Sequence, residues 1–152
     1  LWRIPGDRMK MGREHLVPLS RQAAAVARRL MMLNKESDYL LPSHGKDGVI
    51  SEAGMLYAVY DMGFKDRATI HGFRGVASTW ANDALVEGVR RYDSDWVELA
   101  LAHNEGDVRS AYNAALYLRP RAAMLQDWAD FLDSEMRGNR PAPVDEFDEL
   151  LG

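Results

Sequence analysis

Only the first 19 residues carry the paired, turn-separated pattern of a β-hairpin, which confines the rest of the chain to a largely helical body. Leu1 to Ile4 and His15 to Leu19 are short apolar-rich runs on either side of a charged segment punctuated by Pro5, Gly6 and Gly12. Gly and Pro end regular structure, so the pattern predicts two antiparallel strands joined by a polar tip that carries Lys10.

From Ser20 the apolar residues recur at helical spacing. Ser20 is a good N-cap for RQAAAVARRLMMLN, whose arginines group away from an apolar stripe of Ala, Leu and Met. DYLLPSHGKDG reads as a short extended piece and a loop. Ser51 with Glu52 opens a second helix through about Met62, closed by Gly63, a residue that tolerates the left-handed backbone of a helix end. The segment TIHGFRGVASTWANDAL predicts a helix from near His71 to Ala84, followed by a loop through Tyr92. Ser94, Asp95 and Glu98 begin another, which stops near His103 because Asn104 to Gly106 break helices and Asp107 caps the next one, on which Tyr112 lies. Arg119 and Pro120 start a last long helix from Arg121 to about Met136, with Leu125, Trp128, Phe131 and Leu132 on one side. GNRPAP is then a linker to the acidic VDEFDELL. The expected class is mainly α with a small N-terminal β-hairpin, residues 1–136 forming one domain and 137–152 a linker and tail.

Composition narrows function. With 152 residues and 47% hydrophobic content the chain can bury a core as a single domain. It has no cysteine, which excludes disulfides and thiolate metal sites and fits a reducing, cytoplasmic compartment. Nothing reads as a signal peptide or membrane span. The net charge of −4 hides an asymmetry. From Gln126 onward eight Asp or Glu face only Arg137 and Arg140, a balance of −6, so the first 125 residues hold 17 basic and 15 acidic groups, a balance of +2. Seven Lys or Arg stand against Asp7 and Glu14 in the first 29 residues alone. An acidic end thus masks a basic front of the kind that neutralises phosphates, although ordinary solvated charge gives the same count.

The candidate chemistry lies in five polar residues. His71 and Arg74 are three apart in HGFR, and residues at i and i+3 of a helix can face one cleft. His103 and Tyr112 stand nine apart across the break, and Lys10 sits on the hairpin. Each also has a plain reading: a surface or satisfied His, an ion-paired Arg, a half-buried Tyr, a solvated Lys. Tyr117 is a rival to Tyr112 but falls on another helical face, within the packing-like AALYL. His15 and His44 take no role, and no pair of histidines has zinc-ligand spacing with a carboxylate nearby.

Taken together, a Lys on a hairpin, H-x-x-R, L-x-H and a Tyr nine residues later resemble the catalytic domain of the tyrosine recombinases, specifically the P4-like phage and prophage integrases. The matching text is RMKMGREHLVPLS, HGFRGVAST, LAHNEGDVRSAYN and LRPRAAMLQDWADFLD, so the resemblance spans residues 1–136. It implies the integrase catalytic-core fold and site-specific DNA recombination through a 3′-phosphotyrosine, integrating or excising a mobile element. It implies no cofactor and no metal. The partners it implies are double-stranded DNA at attachment sites, further copies of the chain as a tetramer on DNA, and accessory DNA-bending or excision factors.

Phosphodiester exchange without a metal needs a nucleophile, a proton donor for the leaving 5′ oxygen, and fixed positive charge beside the equatorial oxygens of the phosphorane. By resemblance Tyr112 is the nucleophile, Lys10 protonates the leaving oxygen, and Arg74 clamps non-bridging oxygens with its planar fork. His71 and His103 hydrogen-bond the phosphate or help deprotonate Tyr112. The family also carries another Arg, closely followed by an acidic residue, on a helix before the hairpin. No segment here matches it, so the expectation is a core truncated on its N-terminal side and inactive as an isolated fragment. The acidic tail is expected to pack on a neighbouring subunit, with a disordered end or one folded back on its own domain as the alternatives. The alternative function is a non-catalytic DNA-binding or assembly module derived from a recombinase.

Overall fold

The computed structural model describes residues 1–10, 12–45, 47–51, 53–102 and 117–138. Strands β1 (Trp2–Ile4) and β2 (His15–Val17) pair antiparallel, with Arg3 opposite Leu16. Between them a single 3₁₀ turn at Gly6–Arg8 tightens the tip, closed by Arg8 N–H to the Pro5 carbonyl and Met9 N–H to the Gly6 carbonyl. The expected hairpin is therefore present, and Lys10 lies in the exposed turn that follows.

Helix α1 (Arg21–Leu33) begins where Ser20 Oγ accepts the Ala23 N–H at 3.1 Å, as its cap chemistry predicts. Its apolar stripe does not become core: Val26, Met31, Met32 and Leu33 are all at least 60% exposed. The helix is fastened instead by polar bonds at its first turn. Gln22 Nε2 donates to Asp130 and Asp133, and the Arg21 N–H donates to Gln126 Oε1 at 2.9 Å.

Helix α2 (Gly54–Val59) starts later than expected, with Ala53 rather than Ser51 at its cap position, and Glu52 lies outside the described residues. It runs into a wider π-type turn over Tyr60–Phe64, where Gly63 takes φ +88°. That is the left-handed ending expected of Gly63. Helix α3 (Ile70–Asp83) is capped by Thr69 Oγ1, which accepts the Gly72 N–H at 3.0 Å.

The stretch expected as a loop holds a second hairpin, β3 (Leu85–Val86) against β4 (Val89–Arg90). Glu87 and Gly88 both have positive φ, the two-residue turn whose twist matches paired strands. Helix α4 (Ser94–Ala100) is capped by Asp93, one residue before the expected Ser94, through an Asp95 N–H bond at 2.8 Å. Helix α5 (Leu118–Gly138) takes in Arg119 and Pro120 within its first turn, where the missing Pro N–H has no intrahelical partner to lose.

The core lies where α3, α4 and α5 meet. Ala81, Tyr92, Val97 and Met124 are buried there, with Trp80, Trp96, Leu101 and Leu125 packed around them. Trp80 stacks obliquely on Tyr92 and Trp128, at ring separations of 5.4 and 5.1 Å. This mainly helical body with two small antiparallel sheets fixes the ends of the three helices that matter below. Among the described residues no helix is long and apolar enough to cross a membrane.

Candidate active site

The site is built on the first two turns of α3. Thr69 fixes where the helix starts, so His71 is its second residue and Arg74 follows one turn later on an adjoining face. His71 is exposed and Arg74 half-buried. Arg74 Nη2 donates to the carbonyl of Leu101, at the end of α4 and two residues before His103. The sequence motifs H-x-x-R and L-x-H are therefore joined directly, through one side chain of the first and one backbone oxygen of the second. Arg74 Nε is buried and has no hydrogen-bond partner among the described residues.

α4 ends abruptly at this point. Ala102 takes φ +53°, a left-handed conformation that an alanine adopts at a cost glycine does not incur. Tyr117, on the far side of residues 103–116, is left-handed too, at φ +52°. His103, the Asn104 to Gly106 break and Tyr112 lie outside the described residues, as does the tail from 139. Tyr117 is partly exposed, with its ring 6.5 Å from that of Trp96, and its carbonyl accepts the Arg121 N–H at 2.9 Å.

The charge around the start of α3 is mostly positive. Lys65, Arg67 and Arg74 accompany Asp66, and the Arg67 guanidinium lies 5.6 Å over the Phe64 ring. Beside it an open groove of about 390 Å³ is lined by Tyr60, Arg67, Thr69, Phe73 and Val76. These α3 positions lie on another side of the helix from Arg74, so the groove is separate from the Arg74 contact.

Lys10 projects from the hairpin tip, and the hairpin is tied to the same body at its base. Arg121 in α5, only 1% exposed, donates from Nη2 to the Leu16 carbonyl in β2. Burial lowers the pKa of Arg121, and burial followed by the Arg121 charge lowers that of the neighbouring His15. Sequence reasoning took Arg121 as nothing more than a helix start. The available signal was an arginine one helical turn before Met124 and Leu125, on a side of α5 that turns inward.

No family model and no solved structure matches the chain. It is 39% identical over 136 residues to prophage integrase IntZ of Escherichia coli (strain K12), covering 90% of this chain and 33% of that relative. Prophage integrase IntA of the same organism is 36% identical over 140 residues, covering 91% of this chain and 32% of the relative. The integrase of Enterobacteria phage P4 is 37% identical over 150 residues, 88% of this chain and 33% of the relative. The chain thus spans about a third of the length of the curated relatives it matches.

Proposed function

The chain belongs to the phage integrase family, and from that premise we propose that it forms the strand-exchange part of a tyrosine-type site-specific recombinase acting on double-stranded DNA. The observation that carries this reading is the bond from Arg74 to the Leu101 carbonyl. It joins the two motifs a phosphate-handling site needs, a cationic fork and the segment that runs to His103 and Tyr112.

In the proposed reaction the phenol oxygen of Tyr112 attacks phosphorus and the bond from phosphorus to the 5′ oxygen breaks. Lys10 gives its proton to that oxygen, while the phenolic proton passes to His103 or His71. The products are a 3′-phosphotyrosine and a 5′-hydroxyl. Attack by a 5′-hydroxyl from another strand reverses the step and releases Tyr112, so rejoining needs no external energy source. Arg74 contributes fixed positive charge where the phosphorane's oxygens become more negative. Residues 1–136 are the C-terminal part of the catalytic domain in this reading and 137–152 an appendage. Its acidic VDEFDELL is repelled by DNA and turns toward a neighbouring copy.

The test is to incubate the full-length protein with a nicked suicide substrate carrying its attachment site and to map any covalent adduct. We expect the adduct at Tyr112 and its complete loss in Tyr112→Phe, with Tyr117→Phe unaffected. An adduct that persists in Tyr112→Phe would assign the nucleophile elsewhere.

A further inference from the structure

Arg121 stands out among the charged groups the proposed reaction does not use. It is 1% exposed, in the first turns of a helix, and its side chain donates to a backbone carbonyl 105 positions earlier in the chain. A buried guanidinium is costly unless it is bonded, so the place where it spends a bond shows which part of the fold it holds. Among the described residues one such place is Leu16, the middle residue of β2 and itself 6% exposed.

The hairpin needs such an anchor. An isolated two-stranded hairpin is marginal in water, and this one has three residues in each strand. β2 pairs with β1 on one side, and on its other side the Leu16 carbonyl is met by Arg121 rather than by a third strand. Just beyond, Ser20 caps α1, whose first turn is bonded to Gln126 and Asp130 of the same helix α5. The base of the hairpin is therefore pinned to α5. Among the described residues the bonds of the tip are internal: Arg8 to Pro5, Met9 to Gly6 and Gly12 to Met9 along the backbone, and Arg3 to Glu14 at 2.8 Å.

We propose that Arg121 is a positioning residue for Lys10, setting through the Leu16 carbonyl the angle at which the hairpin presents its tip to the scissile phosphate. This rests on the role proposed above for Lys10. Leu16 and Lys10 are six positions apart, a lever of at most about 20 Å at roughly 3.3 Å per residue. A tilt of about 10° at its base moves the tip by about 3 Å, whereas a misplacement of about 1 Å at a reacting group is enough to lower a rate about 100-fold.

The experiment separates positioning from general stability through the leaving group. A substrate with sulfur in place of the bridging 5′ oxygen departs as a thiolate and needs no proton, so a defect confined to Lys10 disappears on it. Cleavage by the full-length protein is measured on the oxygen and sulfur substrates for wild type, Lys10→Ala, Arg121→Met and Arg121→Lys. The Arg121 variants are read wherever the thermal melt matches wild type. We expect both Arg121 variants to lose about 10-fold or more on the oxygen substrate and to cleave the sulfur substrate within about two-fold of wild type, as Lys10→Ala does. Equal losses on both substrates, or no loss on oxygen, in either Arg121 variant while Lys10→Ala is rescued by sulfur would overturn the inference alone. Failure of sulfur to rescue Lys10→Ala would remove Lys10 as the proton donor, and the inference with it.

Discussion

Arg74 and Leu101, 27 positions apart, are joined by a hydrogen bond from a guanidinium on the second turn of α3 to the carbonyl of the residue that caps the end of α4. A helix C-terminus carries partial negative charge on its unpaired carbonyls, so a cation satisfies it there. The same guanidinium has donors left over, because an arginine carries five N–H groups in a rigid fork. In the proposed site remaining Nη donors meet the phosphate while one holds the segment leading to His103.

Two functions on one side chain lead to the first expectation. Arg74→Ala in the full-length protein should lower strand cleavage by about 100- to 1,000-fold, the usual loss for one charge-stabilising donor. Arg74→Lys should recover little, since an ammonium cannot serve the Leu101 carbonyl and two phosphate oxygens in one plane. Initial rates on a suicide substrate measure both. A rate for Arg74→Ala within a few-fold of wild type would remove it from the clamp.

The start of α1 gives a cleaner stability expectation. Ser20 is 7% exposed and its Oγ takes the Ala23 N–H, so Ser20→Ala leaves a helix donor without its cap. The cost should be about 1 kcal/mol, read as a lower denaturant midpoint with unchanged slope. Ser20→Asp should keep most of the stability, because a carboxylate accepts the same bond and suits the positive helix end.

Such local chemistry is where sequence reasoning succeeded. The cap at Ser20, the ending at Gly63 and the opening hairpin all depend on residues within a few positions of each other. The second hairpin was missed because its strands are two residues long and its turn is Glu87-Gly88, with a non-glycine at φ +51°. No period can be read from two residues, and Glu gives little warning of a left-handed backbone. The stripe on α1 misled for another reason: helical spacing locates an apolar face but not what lies over it, and Met31 and Met32 remain open. For the site, His71 and Arg74 fall on one helix, as their spacing of three predicts. The contacts of Arg74 with Leu101 and Arg121 with Leu16 were not, since backbone carbonyls carry no sequence signal at all.

His15 supplies a pH expectation. Burial, then the positive charge of Arg121, lowers its pKa from 6.5 in the folded state. The unfolded chain therefore binds this proton more readily, and unfolding is promoted as pH falls below about 6.5. The contribution is fully present above that pH and lost on acidification toward the folded value. Melting temperatures of wild type and His15→Asn between pH 8 and 5 should diverge, with the wild type losing more on the acid side. Parallel curves would show that His15 titrates alike in both states.

Tyr92 gives the opposite dependence at the alkaline end. Burial and a 2.8 Å bond to Asp127 push its pKa up to about 12 from 10.0. Arg91 binds the same carboxylate oxygen at 2.8 Å, so Asp127 draws β4's end and the Tyr92 hydroxyl onto α5 together. Below pH 10 the phenol is protonated in both states and its bond contributes fully. Between 10 and about 12 the unfolded chain loses its proton first, so stability falls as pH rises. Tyr92→Phe should cost about 1 kcal/mol at pH 7, because it keeps the ring packed on Trp80 but removes the donor to Asp127. It should also remove this part of the alkaline decline, so denaturant midpoints of the two proteins should converge between pH 9 and 11. A constant gap across that range would mean that the Tyr92 hydroxyl titrates no differently in the folded protein than in the open chain.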